Sequence, residues 1–297
     1  MKRFPSKVAG FTLVEIMVTV AVVGLACGGI FQILKIGTTL FGKNTSINLS
    51  HSETRYGLLR LQQDLTSAVS TPELTSAVTP VLSSGAPTSV ISGAGPAAGV
   101  YFQEYAAGPL CLAPVSSGTI QATATSFGVI TGTNFTALPG QTIHIEAVPL
   151  ITTSTNSLLE APMSGVTRSG TTSTVTLSRA IGNKINLVDP VTEVALHVAC
   201  FITTPVVYVI QNGQLLRYTL DPAGSGSMVS TVLVNNFSVT SATPFSMPTV
   251  DTSPANTFLD VTNLTSVDQS TSTRGYHAIT TPFTVRIPHF AQLTIQY

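Results

Sequence analysis

The sequence predicts an α+β protein: one long N-terminal α-helix, transmembrane in its first half and amphipathic in its second, packed on a mainly antiparallel β head. An apolar run from Ile16 to Leu34 is broken only by Thr19 and Gln32 among clearly polar residues. No proline lies between Phe11 and Thr71, and Pro72 follows at once. Beyond it, short β-prone runs alternate with clusters of Gly, Asn, Ser and Thr, the punctuation expected of strands joined by turns.

The apolar run has about the length needed to cross a bilayer as a helix at roughly 1.5 Å per residue. Lys2, Arg3 and Lys7 precede it with no acid among the first ten residues. That bias favours an N-terminus in the cytoplasm and an exported C-terminal bulk, although Lys35 and Lys43 follow the run. Past Leu34, residues Ile36, Leu40, Ile47, Thr54, Leu58, Leu61, Leu65 and Ala68 recur at three- and four-residue spacings. Arg55, Arg60, Gln63 and Asp64 fall on the opposite phase. Pro72 would end such a helix. From Phe11 to about Val69 it would be roughly 90 Å long.

From Thr71 to about Pro96 the composition predicts loop with at most short strands. Strands are expected over Gln141 to Val148, Glu193 to Ile202, Met228 to Val234, Phe237 to Thr240, Phe283 to Ile287 and Leu293 to Tyr297. The sharpest local signal is Asn212-Gly213 between the β-prone runs Val206 to Gln211 and Gln214 to Leu220. Such a pair predicts a hairpin, because a type I′ turn needs positive φ at both central positions.

The 297 residues hold 13 Lys+Arg against 13 Asp+Glu, a formal net charge of zero. No electrostatic footprint for nucleic acid follows, and direct nucleic-acid binding is not expected. With 9% charged and 43% hydrophobic residues, the composition is that of a folded chain. No catalytic constellation is present. Histidines 51, 144, 197, 277 and 289 are scattered, and His144 and His197 fall on the outward phase of expected strands. Asp251, Asp260 and Asp268 lack the two-residue spacing of a calcium loop. No phosphate-binding glycine loop or serine elbow occurs. Neither a metal nor a cofactor is therefore expected. Cys111 and Cys200 form the candidate disulfide of an exported head, with a free buried thiol at Cys200 as the alternative.

The residue that fits poorly is Glu15, which opens the apolar run. A carboxylate costs about 2.5–3.5 kcal/mol at the centre of a membrane-spanning helix and less near an interface, so a partner is needed. The string Lys7-Val8-Ala9-Gly10-Phe11-Thr12-Leu13-Val14-Glu15 resembles the processing site of type IV prepilins and type II secretion pseudopilins. The resemblance implies cleavage between Gly10 and Phe11 by a membrane-embedded prepilin peptidase, with N-methylation of Phe11. It also implies that Glu15 meets the N-terminal amine of a neighbouring subunit. Pairing a buried carboxylate with an ammonium group makes its burial tolerable and fixes axial register.

Many major pilins bend their helix at a proline, whereas this chain has glycines at 24, 28, 29, 37 and 42. Gly24 and Gly28 form a small-xxx-small pair that lets another helix approach. Each glycine weakens the helix by about 1 kcal/mol relative to alanine, so Gly28-Gly29 is where it is expected to loosen in a filament. The segment Arg55 to Leu65, the strand Asn212 to Tyr218 and the large head resemble the W-type minor pilin and the J-type pseudopilin.

The expected layout is a leader peptide over 1–10, a transmembrane assembly helix over 11–34, its amphipathic continuation over 35–70 and a β-rich exported head over 71–297. The expected partners are prepilin peptidase, other pilin or pseudopilin subunits and the inner-membrane assembly platform. The expected location is the inner membrane in a single pass, then the pilus or pseudopilus. A membrane-anchored binding module or adhesin is the alternative. A lipoprotein signal at Leu25-Ala26-Cys27-Gly28 fits less well, because its leucine stands one position too close to Cys27.

Overall fold

The computed structural model describes residues 12–83, 86–87, 89–91, 96–132, 135–147, 157–189, 195, 198–235, 237–239, 243–247, 258–266 and 283–288. One helix, α1 (Leu13–Thr66), is followed by strands throughout, as the α+β prediction requires. The chain divides into two compact units. One comprises Met1–Ser50 with Asp268–Tyr276, the other His51–Val267 with His277–Tyr297.

The strands are β1 (Glu73–Thr75), β2 (Leu82–Ser83), β3 (Ala86–Pro87), β4 (Val90–Ile91), β5 (Gly99–Leu112), β6 (Thr119–Ile120), β7 (Ser126–Ile130), β8 (Thr142–Ala147) and β9 (Ser157–Ser169). They continue with β10 (Thr172–Leu177), β11 (Ile185–Asn186), β12 (Ala199–Gln211), β13 (Gln214–Leu220), β14 (Met228–Asn235), β15 (Phe237–Val239), β16 (Phe245–Ser246), β17 (Phe258–Ser266) and β18 (Phe283–Pro288).

Two long strands, β5 and β12, organise the head. They pair antiparallel along their length, from Ala199 opposite Cys111 to Val209 opposite Gly99. At one end they are flanked by β13 and β14 on one side and by β1 and β4 on the other. At the other end β8, β9, β10 and β7 run in sequence from β12 back to β5, so those six strands close a ring. Each part has its own core. Leu61 and Leu65 at the end of α1, with Ala68 just past it, pack with Phe102, Val206, Tyr208, Leu215 and Phe245. Ile143, Ile145, Met163, Val175, Cys200 and Ile202 fill the ring with Phe127 and Val129. Tyr101, Val207, Val209, Leu216 and Tyr218 form a third cluster on the opposite face.

The predicted hairpin is present. β12 and β13 pair from Gln211 opposite Gln214 inward, with φ of 51° at Asn212 and 73° at Gly213. The strands expected near 141–148, 228–234, 237–240 and 283–287 are β8, β14, β15 and β18. Of the strand expected over Glu193 to Ile202, the part from Ala199 belongs to β12, and most of 190–197 lies outside the described residues. The strand expected over Leu293 to Tyr297 also lies outside them.

One boundary and one helix-phase expectation are corrected. The helix ends at Thr66, short of Val69 and well before Pro72. Its terminus is set by sheet pairing: Val69 N–H donates to Gln103 O at 2.7 Å, and Gln103 N–H donates to Ser70 Oγ at 2.8 Å. The edge of β5 therefore captures the chain before proline can act. Asp64, placed on the outward phase by its spacing, is buried at 3% exposure.

Candidate assembly helix and its attachment to the head

Thr12 and Glu15 begin the helix. Glu15 N–H approaches Thr12 Oγ1 at 3.4 Å and donates to Thr12 O at 3.0 Å. Thr12-Leu13-Val14-Glu15 thus has the spacing of a capping box, with a carboxylate in the first turn where the helix dipole favours it. Gly10 and Phe11 lie outside the described residues. Leu13–Gly42 is long and apolar enough to cross a membrane, and its most apolar stretch is wholly unburied. A Cβ at Gly24 or Gly28 would meet nothing within 4 Å. The helix runs unbroken through Gly28-Gly29. Apolar side chains such as Phe31 and Leu25, 69% and 79% exposed, have no cover here.

The last turns of α1 are built into the head through charge as well as apolar packing. Asp64 Oδ2 accepts from Arg217 Nε at 2.6 Å and from Tyr208 Oη at 2.7 Å. Its Oδ1 faces Arg60 Nε at 3.0 Å. The same Arg217 reaches Glu104 through Nη2, at 3.2 Å and 3.1 Å to the two carboxylate oxygens. One helix residue is thereby tied to β12, β13 and, through Arg217, to β5. Burial, and then the Asp64 charge, push Glu104 up to about 7 against the pull of Arg217. Burial and the Asp64 carboxylate also raise Tyr208. Gly57 allows the close approach: a Cβ there would lie 3.1 Å from Leu215 Cδ2 and closer still to Val234 Cγ2.

The candidate disulfide is absent: Cys111 and Cys200 are free thiols. Cys111 stands opposite Ala199 and Cys200 opposite Leu110, one position out of step. Successive side chains of a strand point to opposite faces, so Cys200 enters the ring core while Cys111 faces the other way with Ile130. Burial pushes the Cys200 thiol up to about 12.

His144 is likewise corrected from solvent-facing to buried, at 4% exposure. Its ring stacks on Phe201 at 4.5 Å between centroids and 4° between planes. Its Nε2 lies 2.8 Å from Thr203 Oγ1 and 3.2 Å from Gln103 Oε1, and Nδ1 lies 3.3 Å from Glu160 Oε1. This contact with His144, opposed by burial, holds the Glu160 carboxyl below its ordinary range. Phe201 and its neighbours cover what alternation alone assigned to water. Asp260 belongs to β17 and is buried, whereas His197, His277, Asp251 and Asp268 lie outside the described residues. Among the described residues, no three His, Cys, Asp or Glu side chains converge as metal ligands would.

The described residues define an α+β protein whose N-terminal helix is capped at its start and is long and apolar enough to cross a membrane. Residues 5–31 match the family model of the prokaryotic N-terminal methylation motif, the motif found in pilin- and pseudopilin-type precursors. Comparison with curated proteins and with solved structures gives no match.

Proposed function

We propose that this chain is a minor pilin or pseudopilin, a structural subunit that primes, caps or enters a type IV pilus or a type II secretion pseudopilus. The observation that carries the reading is the coincidence of the methylation motif over 5–31 with the unburied apolar helix Leu13–Gly42. A free side-chain surface of that size needs lipid or other helices around it. In this reading prepilin peptidase cuts between Gly10 and Phe11 and methylates the new amine. The basic leader holds the N-terminus in the cytoplasm, and the head is exported. Once the subunit is drawn from lipid into the filament, Gly24 and Gly28 admit neighbouring helices. Glu15 then faces the amine of the next subunit. The work is assembly, not catalysis.

The deciding experiment is the intact mass of the mature protein from cells with and without prepilin peptidase. A peptidase-dependent product starting at Phe11 and heavier by one methyl group supports the reading. An uncut chain, or a lipid-modified one starting at Cys27, refutes it and leaves an anchored binding module. Glu15→Val separates the two further. It should abolish incorporation into filaments while leaving peptidase cleavage intact.

A further inference from the structure

Beside the ring, four polar side chains from four strands meet in one place: Gln103 of β5, Thr203 of β12, His144 of β8 and Glu160 of β9. Thr203 is completely buried and has one proton to give. Besides the Thr142 carbonyl at 3.4 Å, two side-chain partners lie within reach: Gln103 Oε1, which accepts at 2.5 Å, and His144 Nε2 at 2.8 Å, which accepts when the imidazole proton sits on Nδ1. A hydroxyl held against a histidine, with a carboxylate beside the other ring nitrogen, is the arrangement that turns an alcohol into a nucleophile. Here the group pressed against that hydroxyl is a side-chain amide of the same chain.

We propose that Thr203 and Gln103 become joined by an ester cross-link between β12 and β5, formed within the folded head with His144 as the base. His144 Nε2 takes the hydroxyl proton as Thr203 Oγ1 attacks Gln103 Cδ. The imidazolium so formed lies 3.2 Å from Gln103 Oε1, where negative charge develops, and supplies the stabilising donor. The Cδ–Nε2 bond of Gln103 then breaks. The nitrogen leaves as ammonia with its own two protons and the one returned by His144. The sum is amide plus alcohol giving ester plus ammonia, with no change of oxidation state and no co-reactant.

The remaining neighbours suit the step. The Tyr101 phenol accepts from Gln103 Nε2 at 2.9 Å and holds the amide in one orientation. Burial pushes that phenol up to about 12, so it stays neutral. Glu160 is a positioning residue: its carboxylate oxygen lies 3.3 Å from the buried Nδ1, which has no hydrogen-bond partner, and a proton held at Nδ1 toward that charge leaves Nε2 free to take one. Strand pairing holds the reactants together, replacing a bimolecular collision by a fixed approach. The burial of Thr203 keeps water from hydrolysing the ester. Ammonia diffuses away, which makes the step one-way in practice. The product is a covalent staple across the two strands that organise the head, a use that fits a subunit under tension.

The test is mass spectrometry of a proteolytic digest of the full-length protein purified from membranes and denatured. The expected result is one species containing the Gln103 and Thr203 peptides, lighter than their sum by one ammonia and split by hydroxylamine or mild alkali. Thr203→Val should show the unmodified Gln103 peptide, and Thr203→Ser should restore the link. Glu160→Gln should slow its appearance after synthesis at least several-fold. Separate, unmodified peptides from the wild-type protein overturn the proposal, whether or not any variant folds. A joined species that alkali does not split overturns the ester assignment. The readout is confined to head peptides and is independent of events at Gly10 and Phe11.

Discussion

Replacing Asp64 by alanine removes the one helix side chain that gathers two arginines and a buried phenol. The size of the effect follows from what is left behind. Tyr208 Oη loses its acceptor at 2.7 Å, and an unpaired buried hydroxyl costs about 1–3 kcal/mol. Arg217, with 18% side-chain exposure, loses its closest carboxylate but keeps Glu104. Breaking a buried pair on one side costs about 3–5 kcal/mol. The retained Glu104 offsets part of that, because without the Asp64 charge it ionises more readily and takes over the pairing. Arg60 adds little, since its side chain is 40% exposed and exposed pairs contribute about 0–1 kcal/mol. The expected loss is about 3 kcal/mol, near the lower end of the range. Urea unfolding of the detergent-solubilised full chain, followed by far-ultraviolet circular dichroism, measures it. An unchanged m-value with a lowered midpoint assigns the change to the folded state. Arg60→Ala in the same assay should lose less than about 1 kcal/mol. If Asp64→Ala costs no more than Arg60→Ala, the contacts of Asp64 with Tyr208 and Arg217 are not what holds the end of α1 to the sheet.

Three further outcomes test the head. Because Glu104 is pushed up to about 7 in the folded state and lies near its ordinary value when unfolded, the folded head binds more protons between those values. Stability should therefore fall as pH rises from about 4.5 to 7, and Glu104→Gln should flatten that part of the profile; a rise over the same interval refutes the assignment. Gly57→Ala places a methyl against Val234 and Leu215. The overpacking of about 1–3 kcal/mol should outweigh the helix-propensity gain, with Val234→Ala restoring the difference, and a stabilised single variant counts against it. Thiol titration of the denatured, unreduced protein should find three free cysteines; in the native protein Cys111 should react long before Cys200, which is buried with its thiol pushed up to about 12.

The N-terminal segment of the molecule was legible because its signals are local. A basic leader, an uninterrupted apolar run and Glu15 at its start need no distant partner to be recognised. The hairpin at Asn212-Gly213 was legible for the same reason, since positive φ is a property of the turn itself. The capping spacing Thr12 to Glu15 is equally local and is present in the residues themselves. Strand β5 was harder to see: Gly99–Leu112 contains two alanines, two glycines and a proline, none of them strand-forming by preference. It is a strand because β12 lies beside it.

By itself, then, the sequence determined that this protein has one apolar helix bearing a methylation-type N-terminus and a β-rich body, because hydrophobic run length and turn chemistry act over a few residues. Tertiary structure alone decided that Asp64 and His144 are interior, that Cys111 and Cys200 face apart, and that Thr203 rests against Gln103. Periodicity can assign a residue to one side of its own helix or strand. It cannot say whether another strand, a hundred residues away in the chain, has covered that side.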